Sequence, residues 1–154
     1  MQSYNFEGKN KIDAIAKAAS ELKCNEDDLI VEILEENVGI VKKVTRIRVV
    51  KLSELTNFIK DKIKEITSLM NLDVNLEVRR RENSLTIKMF SDNNNILIGK
   101  GGKTVESLQT IIRTTVSNLV ETPLSIVLDV ENYKEKRVKH LEFLARRIAP
   151  AQVP

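Results

Sequence analysis

The residues most able to do chemistry form one glycine-rich segment: Ile98, Gly99, Lys100, Gly101, Gly102, Lys103 and Thr104. Glycine lacks a Cβ, so a backbone with several glycines can turn tightly and let a ligand approach it closely. The two lysines add mobile positive charge beside this backbone. A helix is predicted to begin near Lys103, and the free N–H groups and positive dipole end of a helix attract anions. The segment therefore predicts a site for a phosphate group.

Two nucleotide-binding motifs fit this segment poorly. A P-loop needs a glycine, four residues and then Gly-Lys-Ser or Gly-Lys-Thr. The second half is present, but the first glycine would fall where the sequence has Leu97. The dinucleotide fingerprint would need a glycine in place of Thr104 and a strand directly before Gly99, where a short helix is predicted instead.

The composition argues against catalysis and against a metal centre. The chain of 154 residues has one cysteine, Cys24, and one histidine, His140. These counts exclude an internal disulfide, a cysteine-rich zinc site and a multi-histidine metal site. They also leave no nucleophile and base at a recognisable spacing. We therefore expect no catalytic residues, no metal site and no cofactor.

Other global features narrow the class of protein. Aromatic residues make up only 4% of the chain and Trp is absent, which argues against aromatic stacking platforms for nucleic acid. No apolar run approaches the ~20 residues that span a bilayer. Residues 1–8 lack the basic and then apolar layout of a signal peptide, so we expect a cytoplasmic protein.

The formal net charge of +3 is unevenly distributed along the chain. Residues 1–37 are acidic, residues 38–52 carry five basic residues and no acid, residues 53–131 are nearly neutral, and residues 132–154 are basic again. Two basic stretches suit a polyanion that is contacted at several points. Ordinary solvated faces would give the same pattern, and charge alone does not choose between them.

Hydrophobic patterns predict a small β-α-β-β unit over residues 1–52. We expect strands at Ser3–Phe6, Leu29–Leu34 and Val44–Leu52, with a turn at Asn37-Val38-Gly39. A helix is predicted over Lys11–Leu22, capped by Asn10 with Asp13 as the reciprocal partner. The residues expected to face the core are Ile12, Ile15, Ala19 and Leu22 on the helix, and Ile47 and Val49 on the last strand, with Arg46 and Arg48 on its opposite face.

Residues 53–131 predict the order α-β-β-α-α-β. The elements are a helix over Glu54–Met70 capped by Ser53, strands Val74–Arg81 and Leu85–Phe90, helices Asp92–Ile98 and Lys103–Leu119, and strand Leu124–Val130. Alternation places Arg79 and Arg81 on the solvent face of their strand and Arg80 on the other face. Arg79 and Arg81 could form a phosphate rim or a charged strand end that resists aggregation, and we weigh these two interpretations equally.

This order, with a Gly-x-x-Gly loop between two helices, resembles the type II KH domain. The core Ile98-Gly99-Lys100-Gly101-Gly102-Lys103 closely matches the Ile-Gly-Lys-x-Gly-Lys pattern of that family. The resemblance implies an α+β fold with a three-stranded sheet and helices on one face. It also implies that the loop clamps about four nucleotides of single-stranded RNA. Ile98 and Val105 would then form the floor of the groove.

The wider layout resembles the bacterial Jag (SpoIIIJ-associated) family. Tyr4–Gly8, the helix that follows it and Gly39–Lys43 are similar to the family's N-terminal domain, although this chain has fewer glycines there. The resemblance implies an N-terminal domain at 1–52, a KH domain at 53–131 and the start of a truncated Arg-x-x-x-His domain at 132–154. His140 follows Arg137 by three residues rather than four, so we do not assign that motif to it and expect a solvated or packing histidine.

The last segment predicts a helix that begins after Asn132, with Glu135 as capping partner. Its apolar stripe consists of Val138, Leu141, Leu144 and Ile148, and Pro150 would end it. Half a domain cannot bury a core of its own. We therefore expect this helix to be poorly ordered or to pack on a partner chain.

The Jag resemblance implies a post-transcriptional RNA-binding protein or RNA chaperone linked to cell elongation, division or sporulation. It implies pairing with a small single-KH-domain protein or with itself. A glycine turn that merely joins two helices needs only one glycine, so three glycines and two lysines favour binding. The main alternative is a protein-interaction adaptor whose KH domain does not bind RNA, which the near-neutral charge over 53–131 favours. Single-stranded DNA is a third possibility.

Overall fold

A computed structural model describes residues 1–148, apart from the side chain of Val38. The strands are β1 (Ser3–Gly8), β2 (Leu29–Val38), β3 (Lys43–Lys51), β4 (Val74–Arg81), β5 (Ser84–Ser91) and β6 (Ser125–Val130). The helices are α1 (Lys11–Leu22), α2 (Leu52–Leu69), α3 (Asn94–Ile98), α4 (Lys103–Leu119) and α5 (Tyr133–Ile148), and single 3₁₀ turns span Glu26–Asp28 and Lys100–Gly102. The predicted helix end at Pro150 lies outside the described residues.

The chain divides into two compact units. The first comprises Met1–Lys62 and Thr114–Pro123, and the second comprises Ile63–Arg113 and, among the described residues, 124–148. The mixed α+β class, with a three-stranded sheet in each unit, is confirmed. The domain boundaries at 52/53 and 131/132 stay a prediction. No helix within residues 1–148 combines the length and hydropathy needed to cross a membrane.

The sheet of the first unit is antiparallel, with strand order β1-β3-β2. The predicted alternation along β3 is confirmed, because Ile47 and Val49 are fully buried while Arg46 is exposed and Arg48 is half-buried. Burial of this apolar face is the main force that holds the small sheet against its helix.

The predicted core face of α1 is partly wrong. Ile12 is 76% exposed, and the buried positions are Ala14, Ala18 and Ala19. The reason is a close approach between α1 and β1. A Cβ on Gly8 would overlap the Ala14 backbone nitrogen and lie 2.8 Å from its Cα. Only small residues fit where a helix backbone comes this near to a strand, so the alanines rather than the larger isoleucine face the sheet.

Strand β2 is longer than the sequence pattern predicts. It continues beyond Leu34 to Val38, with a register shift between Ile33 and Glu35, so Asn37 and Val38 belong to the strand and not to a turn. Cross-strand ion pairs accompany the extension: Glu35 Oε2 lies 3.2 Å from Arg46 Nη1, and Glu32 Oε2 lies 3.5 Å from Arg48 Nη1. These pairs favour the register, although the exposed pair of Glu35 and Arg46 contributes little stability.

The start of α1 follows the predicted cap with one change. The Asp13 N–H donates to Asn10 Oδ1 at 2.8 Å, which confirms the cap. The Asp13 carboxylate accepts from the Lys9 N–H at 2.9 Å, one residue before the predicted partner. This bond and the nearby Lys17 ammonium hold the pKa of the Asp13 carboxyl below its usual value.

In the second unit the strand order is β4-β5-β6, with β4 antiparallel and β6 parallel to β5. One face of the sheet is buried, as predicted from the alternation: Leu85, Ile87, Met89, Ile126, Leu128 and Val130. Arg80 pairs with Leu85 and so lies on the face of the sheet that is buried further along, opposite to Arg79 and Arg81, as the alternation predicts. Its side chain is nevertheless exposed at the end of the strand, where its Nε donates to the Glu82 carbonyl at 3.3 Å.

Helix boundaries differ from the predicted ones by a few residues. Because β3 passes into α2 at Leu52 with no intervening turn, Ser53 lies inside the helix and is not its cap. Helix α3 begins at Asn94 rather than Asp92. The Asn94 Oδ1 accepts a hydrogen bond from the Ser91 N–H at 2.9 Å, and this bond stabilises a turn before the helix. At the end of α4, Leu119 is 42% exposed, and its predicted place in the core is taken by Val116 and Val120.

Two side chains of α4 bind the backbone of β6, which forms one edge of the sheet. Arg113 Nε donates to the Ile126 carbonyl at 2.7 Å, and Gln109 Oε1 accepts from the Leu128 N–H at 2.9 Å. Edge strands expose unpaired backbone groups, and these bonds satisfy two of them. These bonds fix the position of α4 along β6, and they thereby also position the segment Gly99–Gly102 that precedes α4.

We expect Gly8→Ala to lower the free energy of unfolding by about 1–3 kcal/mol, because the added methyl group collides with the backbone of Ala14 and must displace α1. Urea denaturation followed by far-ultraviolet circular dichroism measures this change. Asn5→Ala is the control, since Asn5 is an exposed residue of the same strand. An equal loss in the two variants would contradict the close-approach explanation.

Candidate nucleic-acid interface

The loop between α3 and α4 uses a backbone conformation that strongly favours glycine. The φ angles of Gly99, Gly101 and Gly102 are 74°, 64° and 80°. Residues with a Cβ rarely adopt such angles. At Gly99 a Cβ would also overlap Thr104 Oγ1 and lie 2.7 Å from Thr104 Cβ. Steric contact thus excludes a side chain at Gly99, and the positive φ angles favour glycine at all three positions, whereas an ordinary helix end would need only one glycine.

The hydrogen bonds of the loop leave two adjacent main-chain donors available. The Gly99 N–H donates to Asn95 and closes α3, while Gly102 and Lys103 donate back to the carbonyls of Gly99 and Lys100. Among the described residues, the N–H groups of Lys100 and Gly101 have no hydrogen-bond partner. Successive free N–H groups in such a turn form a concave anion-binding site. We call these two groups the Lys100–Gly101 nest.

Positive charge surrounds this nest. The side chains of Lys100 and Lys103 are exposed, and within residues 1–148 neither forms a salt bridge with a carboxylate. Lys103 is also the first residue of α4, a helix of 17 residues whose positive dipole end lies at the loop. The site combines main-chain donors and unpaired cations, which is the arrangement that binds phosphate without a metal ion.

The two apolar residues predicted as a groove floor lie at different depths. Ile98 is half-buried beside the loop and can be reached from solvent. Val105 is only 3% exposed, so it belongs to the core beneath the loop. Ile96, two residues earlier on α3, is 49% exposed. Ile98 of α3 thus contributes accessible apolar surface next to the nest.

The structure does not bring Arg79 and Arg81 to the loop. Arg81 pairs with Ser84, whereas the chain leaves β5 for α3 at the other end of the strand, beyond Ser91. Seven residues of strand separate the two ends, a length of about 23 Å. Arg79 is also paired, with its Nη2 lying 2.8 Å from Glu77 Oε1. The arginines form a separate patch at the hairpin end.

Helix α5 contacts the loop through two residues that the sequence analysis did not single out. Arg137 Nη1 donates to the Gly101 carbonyl at 3.0 Å. The Tyr133 ring covers Gly102, where an added Cβ would lie 3.1 Å from Tyr133 Cε1. Their spacing of four residues predicts a shared helix face, but no sequence pattern indicates what that face contacts. Gly102 is buried by this contact, while Lys100 and Gly101 remain exposed.

The start of α5 is anchored to its own unit. Lys88 Nζ donates to Asn132 Oδ1 at 2.8 Å, and Lys134 Nζ donates to Gln109 Oε1 at 3.4 Å. The predicted capping pair is replaced by these bonds and by an ion pair in which Lys139 Nζ lies 2.7 Å from Glu135. The Lys139 ammonium lowers the pKa of the Glu135 carboxyl, and Glu135 raises the pKa of Lys139.

We expected α5 to be poorly ordered or to pack on a partner chain. Its N-terminal end packs instead on the glycine loop of the same chain, through Tyr133 and Arg137. Further along α5 the side chains are largely exposed, including His140 and the apolar residues Val138, Leu141, Phe143 and Ile148. Among the described residues, no group of three or more His, Cys, Asp or Glu could hold a metal ion. The chemistry that the site offers is non-covalent binding of an anion.

Comparisons with known proteins match both parts of the chain. The family model described as the KH domain of KhpA/KhpB matches residues 56–126, and the model of the Jag N-terminus matches residues 6–51. The RNA-binding protein KhpB of Clostridium symbiosum is 31% identical over 155 residues, which cover 97% of this chain and 70% of that protein. The RNA-binding protein KhpB of Bacillus subtilis (strain 168) is 23% identical over 154 residues, 97% of this chain and 74% of that protein.

These matches extend over both three-stranded sheets and include the glycine loop with its flanking helices. The chain belongs to the Jag (KhpB) family.

Proposed function

We propose that this protein binds single-stranded RNA and that a backbone phosphate occupies the Lys100–Gly101 nest. The observation that carries the proposal is the pair of adjacent, unpartnered N–H groups in an exposed three-glycine loop. Lys100 and Lys103 would neutralise the phosphate, and the N-terminal end of α4 would add its dipole. The names of the similar KhpB proteins as RNA-binding proteins support RNA as the ligand.

The strand would lie with its bases toward α3. Unstacked bases can pack on apolar side chains, and Ile98, half-buried beside the loop, provides such a surface. Val105 would support this surface from the core rather than touch a base. Arg79 and Arg81 would contact only an RNA long enough to reach the hairpin end, because the strand register places them away from the loop.

The Jag family membership supports further parts of the proposal. We infer a post-transcriptional role, or an RNA chaperone role, connected with cell elongation, division or sporulation. A small single-KH-domain protein or a second copy of this chain would be the protein partner. The free thiol of Cys24 is compatible with the reducing cytoplasm, where we place the protein. We assign no catalysed reaction to the protein.

The alternative is a protein-interaction adaptor. The exposed apolar side chains along α5 favour this alternative, since such a face suits a protein partner. Single-stranded DNA is the other possible ligand, and competition between RNA and DNA of equal sequence tests it. Stronger competition by DNA would overturn the choice of RNA, because the 2′-hydroxyl is the group that distinguishes them.

We expect the double substitution Lys100→Asp, Gly101→Asp to weaken binding of a labelled single-stranded RNA by about tenfold or more, because it places two carboxylates beside the nest and removes a cation. The fold should persist, since a Cβ on Gly101 would meet no atom within 4 Å and aspartate tolerates this φ better than most residues. Fluorescence anisotropy measures the affinity, and circular dichroism checks the fold.

Two controls accompany this titration. The variant Lys100→Asn, Gly101→Asn has side chains of nearly the same shape and requires the same backbone conformation, but it carries no negative charge. Its affinity for the RNA should therefore lie between those of the wild type and the double aspartate variant. Lys64→Asp reverses an exposed charge on α2 and should leave the affinity unchanged. Equal affinity of the wild type and the double aspartate variant would support the adaptor.

A second measurement counts phosphate contacts. Each cation that neutralises a phosphate of a single strand contributes about 0.7 to the slope of log K against log salt concentration. We expect Lys103→Gln to reduce this slope by about 0.7, because the side chain is exposed beside the loop and has no carboxylate partner among the described residues. An unchanged slope would show that Lys103 does not contact phosphate.

A further inference from the structure

Arg137 holds an unusual position relative to the nest. Gly101 contributes its N–H to the nest and its carbonyl oxygen to the bond from Arg137 Nη1 at 3.0 Å. Both groups belong to one residue, so the guanidinium lies within about 10 Å of the proposed phosphate, on the far side of Gly101. Residues of α5 were not expected at the loop, and the contact adds a third basic side chain to Lys100 and Lys103.

The charge of Arg137 is not used by a carboxylate. Within residues 1–148 its only polar contact is the Gly101 carbonyl, and its side chain is exposed. Two other cations of the same unit, in contrast, are neutralised: Lys139 by Glu135 and Arg79 by Glu77. An unpaired guanidinium next to an anion site is free to bind that anion without first breaking an ion pair.

The position of Arg137 is also held from several sides. The Tyr133 ring lies against Gly102 one helical turn earlier, and Lys88 binds Asn132 just before the helix starts. Lys134 reaches Gln109, whose side chain also binds the β6 backbone. These contacts fix the first turns of α5, so the guanidinium is presented at the loop by a braced helix rather than by a flexible tail.

We propose that Arg137 is a further RNA-binding residue, which contacts the phosphate next to the one in the Lys100–Gly101 nest. A guanidinium has five N–H donors, and the bond to Gly101 uses one of them. The remaining donors can bind a phosphate in the bidentate geometry that arginine favours, while the bond to the loop persists. The RNA site is then formed by the loop and α5 together. This inference rests on the RNA-binding function proposed above.

The test compares Arg137→Gln, Arg137→Lys and wild type in the full chain, with a short single-stranded RNA titrated at several salt concentrations. We expect Arg137→Gln to weaken binding about five- to tenfold and to reduce the salt slope by about 0.7, the value of one lost phosphate contact. Arg137→Lys keeps the charge, so it should keep the slope while losing some affinity with the bidentate geometry.

Arg146→Gln is the matched control, because it removes the same charge from the same helix. Arg146 is nine residues further on, which places it on the opposite face of α5 from Arg137. It should leave affinity and slope unchanged. A lower affinity of Arg137→Gln with an unchanged slope would show that Arg137 only braces the loop and would overturn the proposal, as would an unchanged affinity.

The same experiment separates this inference from the proposed function. Suppose that RNA binding is lost in the double aspartate variant, while the salt slope of Arg137→Gln equals that of the wild type. The loop would then remain the proposed binding site, and the role proposed for Arg137 would be wrong. An absence of RNA binding by the wild-type chain would reject the proposed function itself.

Discussion

The glycine loop depends on a steric constraint. Its three glycines adopt positive φ angles, and one of them lies so close to Thr104 that no side chain fits. Backbone in this conformation turns its carbonyls inward to close two 3₁₀ bonds and leaves the N–H groups of Lys100 and Gly101 available. The anion site is thus made by main chain whose geometry is set by missing side chains, and the lysines add charge to a shape that already exists.

The surroundings of the loop explain why this shape can persist. Helix α4 is held along β6 by Gln109 and Arg113, which bind backbone groups at the free edge of the strand. The chain that leaves β6 forms α5, whose Tyr133 and Arg137 return to the loop. The loop is therefore enclosed on one side by packed elements and open on the other. A preorganised site of this kind loses little conformational entropy when a ligand binds.

Salt bridges neutralise some of the basic side chains and leave others available to bind a ligand. The acidic first segment of the chain and its basic successor face each other across neighbouring strands, where Glu32 and Glu35 bind Arg48 and Arg46. Arg79 is likewise paired within its own strand. The basic side chains that stay without a carboxylate partner among the described residues include Lys100, Lys103 and Arg137, and these three lie at the loop. The loop therefore presents three cations that no carboxylate neutralises within the described part of the chain.

Much of this was available from the sequence alone. Alternation along β3, β5 and β6 determined which sheet faces are buried, and the glycine spacing located the loop, because both depend on neighbours in the chain. Features that involve distant segments were not predictable in this way. The alanine face of α1 follows from its contact with Gly8, the length of β2 from its pairing with β3, and the contacts of Tyr133 and Arg137 from the path of the chain after β6. A sequence pattern shows which residues share a face, but only the tertiary structure decides what that face touches.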